Sequence, residues 1–388
     1  MFRISAMMKE LVAPSEVKEY RNPPGPVVIW NLVRQCNLGC KHCYASSVDK
    51  VFSGELSTEE VYAVMEDLKQ ARVPVLILSG GEPLLRPDIF DISHRAKTMG
   101  FYTALSSNGT LITDDNIDQI AAVNYDYVGV SIDGIGAVND AFRMKEGAYE
   151  AALNGLRLCR ERNLKIGLRF TLTEDNAEQF PHIMKLLDEE CIDKFYLSHL
   201  NYAGRGNNNR GDDAYFQHTR KVMDKLFELC WDNLNKGREL EVTTGNNDAD
   251  GVYMLHWVRR HFPDRADHFQ RKLMQWGGNA SGQNVANIDN RGNVHPDTMW
   301  WHYKLGNVKE RAFGDIWQDT SDPLMAGLKQ RPRPVKGRCA QCDYLNICNG
   351  NTRCRAHRLS KDFWAEDPGC YLLDKELGIR EPDCIVAM

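Results

Sequence analysis

The chain has 388 residues, 43% hydrophobic and 26% charged, a composition that supports a large globular core. Its 48 basic and 53 acidic residues leave a net charge of −5 with no basic block, which gives no electrostatic footing for nucleic acid. No apolar run approaches the roughly 18–20 residues of a membrane span, the N-terminal "MFRISAMMKELVAPSEVKEY" lacks a secretory apolar core, and the tail "CIVAM" is the wrong length for prenylation, so no membrane partner and a cytoplasmic location are expected.

After an N-terminal extension (1–26), strand-like and helix-like segments alternate. Strand candidates are "VVIWNLV" (27–33), "VPVLILSG" (73–80), "YTALSSN" (102–108), "YVGVSID" (127–133), "KIGLRFTLT" (165–173) and "KFYLSHL" (194–200). They are short, apolar and rich in β-branched residues, as buried parallel strands are. Between them, Ser57-Thr58-Glu59-Glu60 forms a capping box. Residues 148–162 and 214–235 carry helical patterns. Six such units predict an α/β fold whose parallel sheet curls into a full or partial barrel over 27–236. The alternation is expected to stop there. Within a C-terminal region, 237–388, residues 244–283 read as a connection with some helix. "NVANIDNRGNVHP" then reads as a hairpin, and a cysteine-rich segment (339–370) follows.

The twelve cysteines are unevenly spread: three lie at 36–43 and five between 339 and 370. Such clustering in a reduced compartment points to metal rather than disulfides. Cys36, Cys40 and Cys43 follow the first strand, which places them at the mouth of a barrel. Three thiolates at short spacing suit an iron–sulfur cubane with one iron left open to a chelating small molecule. A zinc knuckle, or a fourth cysteine arriving from elsewhere, is the competing reading. Strand two ends in Ser79-Gly80-Gly81-Glu82-Pro83, where adjacent glycines admit close approach and their carbonyls can accept from an ammonium group. Strand three ends in the polar Ser106–Gly109 and strand four in Ser131–Gly134, either of which could simply terminate a strand.

Cx3Cx2C at Cys36, Cys40 and Cys43 followed by Gly80-Gly81-Glu82-Pro83 resembles the radical S-adenosylmethionine (SAM) enzymes over residues 25–205. The resemblance implies a partial (β/α)6 barrel in which the open iron of a 4Fe–4S cluster is chelated by S-adenosylmethionine. Gly80, Gly81 and Glu82 would bind its amino group, and Asn108 and Ser131 its ribose and carboxylate. Arg143 and Arg169 are further candidates for the carboxylate. The C-terminal cysteines resemble the family's SPASM or twitch extension: Cys339, Cys342 and Cys348 in a Cx2Cx5C run, then Cys370. Asp297 and Thr352 fall where a fuller extension carries cysteines. One auxiliary 4Fe–4S cluster, closed by four thiolates and electron-conducting, is therefore implied. Cys354 is the rival fourth ligand, and structural zinc is the competing reading.

"CNLGCKHCYASS", "GPVVIWNLVRQ" and "VPVLILSGGEPLLRPDIF" further resemble the radical enzymes of modified-haem synthesis, the haem d1 branch in particular. That implies removal of propionate side chains from the iron tetrapyrrole didecarboxysirohaem by deoxyadenosyl-radical hydrogen abstraction, with a flavodoxin- or ferredoxin-type reductant. An enzyme of the alternative haem pathway, acting on acetate-derived groups, shares much of this motif text. A peptide maturase of the same family is expected to carry a recognition domain longer than the 26 residues before the first strand. A non-catalytic electron carrier needs no Gly-Gly-Glu segment. Cys159, Cys191 and Cys230 read as small buried hydrophobes, and Cys384 as a free thiol in a tail. His42 reads as a packing residue over the first cluster. Trp300-Trp301-His302-Tyr303 reads as either core or a flat wall for a macrocycle.

Overall fold

Strand chemistry sets the architecture. In the computed structural model, which describes residues 1–19 and 24–379, all six expected strands form. They are β1 (Val27–Asn31), β2 (Val75–Ser79), β3 (Tyr102–Ser107), β4 (Tyr127–Ser131), β5 (Ile166–Leu172) and β6 (Lys194–His199), parallel and paired in sequence order. Side chains alternate between the two faces of each strand. Val28 and Trp30 of β1, Leu76 and Leu78 of β2, and Phe195 and Leu197 of β6 are fully buried in the outer core. The alternate positions, Ile29, Ile77, Ser79, Arg169, Tyr196 and Ser198, line an internal cavity. The strands thus present apolar chains to the helices and mostly polar ones to the lumen. The capping box forms as expected: Ser57 Oγ accepts from Glu60 N, and the Glu60 carboxylate accepts from Ser57 N, opening helix Thr58–Gln70.

The sheet continues beyond the six expected strands. The long helix (Phe216–Asn235) leads into β7 (Glu241–Gly245), parallel to β6. At the other edge β8 (Val285–Ile288) pairs parallel with β1. β9 (Asn293–His295) and β10 (Gly306–Asn307) add antiparallel strands, giving a ten-stranded sheet in the order β10-β9-β8-β1-β2-β3-β4-β5-β6-β7. The alternation therefore does not stop at residue 236. β7 escaped the sequence reading because Thr243 and Thr244 are buried polar residues, so the strand carries no apolar signature. The stretch read as a connection is mostly helix, Ala249–His261 and Ala266–Trp276. The expected hairpin is β8–β9. Asp289 Oδ1 closes its turn by accepting from the backbone N–H of Arg291 and Asn293.

The N-terminal segment is built into the core. Phe2 exchanges backbone hydrogen bonds of 2.8 Å with Thr244 of β7, and Ile4 and Met8 of helix Ile4–Lys9 are buried. Among the described residues no helix is long and apolar enough to cross a membrane. Cys384 lies outside the described residues.

Candidate active site

The loop after β1 carries the three cysteines and is clamped from two sides. Gly81 N donates to Val33 O at 2.6 Å and Glu82 N to Gln35 O at 2.9 Å, tying the segment after β2 to the cysteine loop. The approach is so close that a Cβ on Gly81 would lie 2.2 Å from Gln35 O, which explains the glycine. From the other side, Arg205 donates through Nε to Cys40 O and through a terminal nitrogen to Ser47 O, both at 2.7 Å. Its backbone N–H donates to Cys43 O at 2.9 Å. The sequence reading missed Arg205. The run Gly204-Arg205-Gly206 after β6 was the available signal.

Each sulfur of the trio receives at least one N–H. Asn108 Nδ2 lies 3.8 Å from Cys36 Sγ, a guanidinium nitrogen of Arg143 lies 3.7 Å from Cys40 Sγ, and the backbone N–H of Ser47 lies 3.4 Å from Cys43 Sγ. Burial pushes the Cys36 thiol up to about 12 and also raises Cys40, where the nearby Arg143 charge acts in the opposite direction. Sulfurs that are disfavoured as bare thiolates, yet provided with N–H donors, fit a site that expects a positively charged metal group.

The other expected contacts divide. Gly80, Gly81, Asn108, Ser131, Arg143 and Arg169 all line the cavity that the cysteines face, which encloses about 1770 Å³ of atom-free space, mouth included. The Gly80 carbonyl accepts from Asn31 Nδ2 at 3.0 Å. The Glu82 side chain departs from the expected role. It is wholly buried behind the cavity wall, accepting from Ser107 Oγ (2.9 Å), Asn108 N (2.8 Å) and Leu84 N (3.2 Å). The 3₁₀ turn Pro83–Leu85 directs it there, so the carboxylate braces the end of β3. Asn108 is likewise engaged at both ends of its amide: Nδ2 donates to Asn37 Oδ1 as well as to sulfur, and Oδ1 accepts from Thr110. It braces the cysteine loop and is not free for a ribose. Arg143 is ion-paired to the buried Asp133, so its charge is balanced within the protein. Arg169 keeps its charge in the lumen, bonded to Ser106 Oγ and lying over the Tyr196 ring. His42 stacks on Phe142 at 4.7 Å, and burial lowers it to about 4, so it is a neutral packing ring.

A second, smaller cavity is lined by Cys339, Cys342, Cys348 and Cys370 together with Ala249, Val252 and Leu377. Cys354 is not among them. It is buried elsewhere, with its thiol on Met299 O at 3.1 Å. Asn351 lines this smaller cavity while the next residue, Thr352, lines the large one, so a single peptide step separates the two. Asp297, bonded to Ser281, stands with Thr352 in the wall of the large cavity, so these positions contribute oxygen atoms to it. Among the described residues no three His, Cys, Asp or Glu side chains converge closely enough to hold one metal ion. Both cysteine groups instead surround open space, which fits a multi-iron cluster better than zinc, whose thiolates stand about 2.3 Å from a single centre.

One further expectation is corrected and one open alternative is decided. Cys159 and Cys230 are buried as expected, but Cys191 is exposed, because it sits with positive φ in the turn between helix Phe180–Glu189 and β6. Trp300 is fully buried against His302, His357 and Phe363, and Trp301 stacks on His295. Trp300 is core, the other three are partly buried around it, and none of the four lines the large cavity.

The model of the radical SAM superfamily matches residues 30–187. The chain is 52% identical over 380 residues to the pre-heme d1 synthase of Dinoroseobacter shibae, covering 97% of this chain and 94% of that one. It is 42% identical over 371 residues to the Fe-coproporphyrin III synthase of Methanosarcina barkeri, covering 95% and 93%. The fold resembles the crystal structure of Streptococcus suis SuiB bound to precursor peptide SuiA, with a TM-score of 0.72 at 16% identity over 95% of this chain and 79% of that one. With high identity along nearly its full length, and with the cysteine loop and glycine clamp built at one cavity, the chain belongs to the radical SAM superfamily, enzymes that carry a 4Fe–4S cluster and use S-adenosylmethionine.

Proposed function

We propose that the chain removes propionate side chains from the iron tetrapyrrole didecarboxysirohaem in the formation of haem d1. The observation that carries this reading is the 52% identity to a pre-heme d1 synthase across 97% of the chain. Cys36, Cys40 and Cys43 would hold a cluster with one open iron, and Gly80 and Gly81 would admit the amino group of S-adenosylmethionine beside it. Ser131 and Arg169, register partners on neighbouring strands that line the same lumen, would meet the polar groups of that molecule. When bound, the pair supplies a carbon radical that takes a hydrogen atom from the substrate. The protein's own residues position, brace and keep the site dry: Arg205 and Glu82 hold the two loops, and Asn108, Arg143 and Ser47 donate to the sulfurs.

Cys339, Cys342, Cys348 and Cys370 would hold a closed auxiliary cluster. Its place one peptide step behind the wall of the large cavity supports a role in taking an electron from the substrate. A flavodoxin- or ferredoxin-type protein is the proposed reductant of the first cluster.

The test is anaerobic incubation of the reconstituted, reduced protein with S-adenosylmethionine and didecarboxysirohaem, followed by mass spectrometry. Loss of propionate mass together with deoxyadenosine is expected. The 42% identity to an Fe-coproporphyrin III synthase favours one second reading, attack on acetate-derived groups of the same macrocycle, which would lower the mass by the smaller fragment. Deoxyadenosine with an unchanged macrocycle would refute both.

A further inference from the structure

Each cysteine group has an arginine beside it, and the two arginines are balanced differently. Arg143, beside Cys40, pairs with Asp133 in the dry interior, their side chains 8% and 0% exposed. Its charge is offset inside the protein. Arg338 precedes Cys339 in the 3₁₀ turn Gly337–Gln341 and lines the smaller cavity. Among the described residues that line that cavity, Arg338 alone is charged; the rest of the wall is the four cysteines, Asn351 and aliphatic side chains.

The guanidinium is held at three points. Nε donates to the Asp374 carboxylate, one terminal nitrogen donates to Leu372 O, and the other lies 3.5 Å from Cys370 O. Its field reaches two sulfurs: burial raises the Cys342 and Cys370 thiols, and the Arg338 charge opposes that rise at both. Asp374 stands on the outer side of the pair. Its side chain is 59% exposed against 23% for Arg338, so water screens the carboxylate more than the guanidinium. Glu366, which accepts from the Arg338 backbone N–H at 2.9 Å, is exposed as well. Asp367 also acts on Cys370, but it is locked in a buried pair with Arg355. The field left in the cavity is positive.

An iron–sulfur cluster held by four thiolates is an anion, and reduction adds one more negative charge to it. A cation in an otherwise apolar wall favours the reduced form and so raises the reduction potential. The offset arginine at the first site gives no such help, which suits a cluster that must give its electron away. We propose that Arg338 raises the reduction potential of the auxiliary cluster, so that one electron can pass to it from the substrate radical, which is oxidised as the cluster is reduced. The assignment rests on the reading that Cys339, Cys342, Cys348 and Cys370 hold such a cluster.

The test is a redox titration of the reconstituted full chain, followed by electron paramagnetic resonance, in which the signal that does not respond to S-adenosylmethionine reports the closed cluster. Arg338→Gln should keep its iron and hold that cluster more oxidised, by about tenfold in the reduced-to-oxidised ratio at a fixed poise, a downward shift of about 59 mV for one electron. Arg338→Lys, which keeps a charge but loses the planar fork, should stay near native. Asp374→Asn, which removes the offsetting anion and leaves Arg338 in place, should move the ratio the other way, by less. An arginine that only holds the Cys370 segment in place would cost iron in both Arg338 variants and leave Asp374→Asn at the native potential. If Arg338→Gln keeps the native potential, or if Arg338→Lys falls as far as Arg338→Gln, the assignment is overturned. If Arg338→Gln loses the cluster, Asp374→Asn decides, and the absence of an upward shift overturns the assignment. A native protein without a signal indifferent to S-adenosylmethionine would refute the four-thiolate reading and the assignment with it. A signal that is present but unmoved by these substitutions refutes the assignment alone.

Discussion

Glu82 shows how a residue can serve the site without touching a ligand. Burial pushes its carboxyl up to about 7 from 4.5, against the pull of its hydrogen bonds from Asn108, Ser107 and Leu84. The folded state therefore holds this proton more tightly than the unfolded chain does. The stability it contributes is complete below about 4.5 and is lost as pH rises through about 7, a change on the order of 3 kcal/mol. Glu82→Gln removes the titration but leaves one buried N–H without its acceptor, which costs about 1–3 kcal/mol. Thermal unfolding without added S-adenosylmethionine should show the variant melting lower near pH 5.5 and the gap to native closing toward pH 8. A constant gap would mean that Glu82 stays ionised throughout. The auxiliary cysteines separate in the same residue-level way. Cys370→Ala should lower bound iron by one cubane, whereas Cys354→Ala, which removes a thiol bonded only to Met299 O, should leave it unchanged. The reverse result would exchange the two assignments.

At the level of elements, the segment after β6 matters as much as the cysteine loop it grips. Gly204 has φ +53°, and a Cβ there would lie 2.4 Å from Cys43 O and 2.3 Å from Tyr44 O. Gly204→Ala must lift Arg205 away from Cys40 O. It is expected to lose the first cluster, about half of the bound iron, while the auxiliary cluster and the far-ultraviolet circular dichroism persist. Full iron content in the variant would show that the clamp is dispensable. The parts of this site readable in the sequence were those encoded locally. β1 to β6 are short apolar runs bounded by turn residues, and the two cysteine groups are defined by spacing. Arg205, more than 160 positions from the carbonyl it holds, left only the faint trace of two flanking glycines. The inward turn of Glu82 depends on a 3₁₀ turn that no periodicity announces. β7 and its buried threonines defeat a reading based on hydrophobicity alone.

For the whole molecule, the question is whether the boundary near residue 236 separates two folding units or only two roles. β8 pairs with β1 through Val27–Trp30 against Val285–Ile288, and β7 covers the edge of β6 while anchoring Phe2. A chain cut after residue 236 would leave both edges of the six-stranded sheet unpaired and uncover the N-terminal helix, exposing backbone donors and apolar surface. We propose that 237–388 changes the chemistry of the wall but is not an independent body, since its strands share one sheet with the barrel. Residues 1–236 expressed alone should therefore be insoluble or readily proteolysed. The intact chain should unfold in one transition, with cluster absorbance and far-ultraviolet circular dichroism lost together. A soluble, protease-resistant 1–236 fragment that still binds its cluster would show that the shared sheet is an embellishment and that the barrel closes without it. Coupling of this kind has a functional corollary. β7 leads directly into Asn246 and Asp248, and β8 begins at Val285, all three in the wall of the large cavity, so the C-terminal region cannot shift without reshaping the cavity that the cysteines face. Loss of the auxiliary cluster should accordingly alter substrate binding at the first site, even where electron transfer is not being measured.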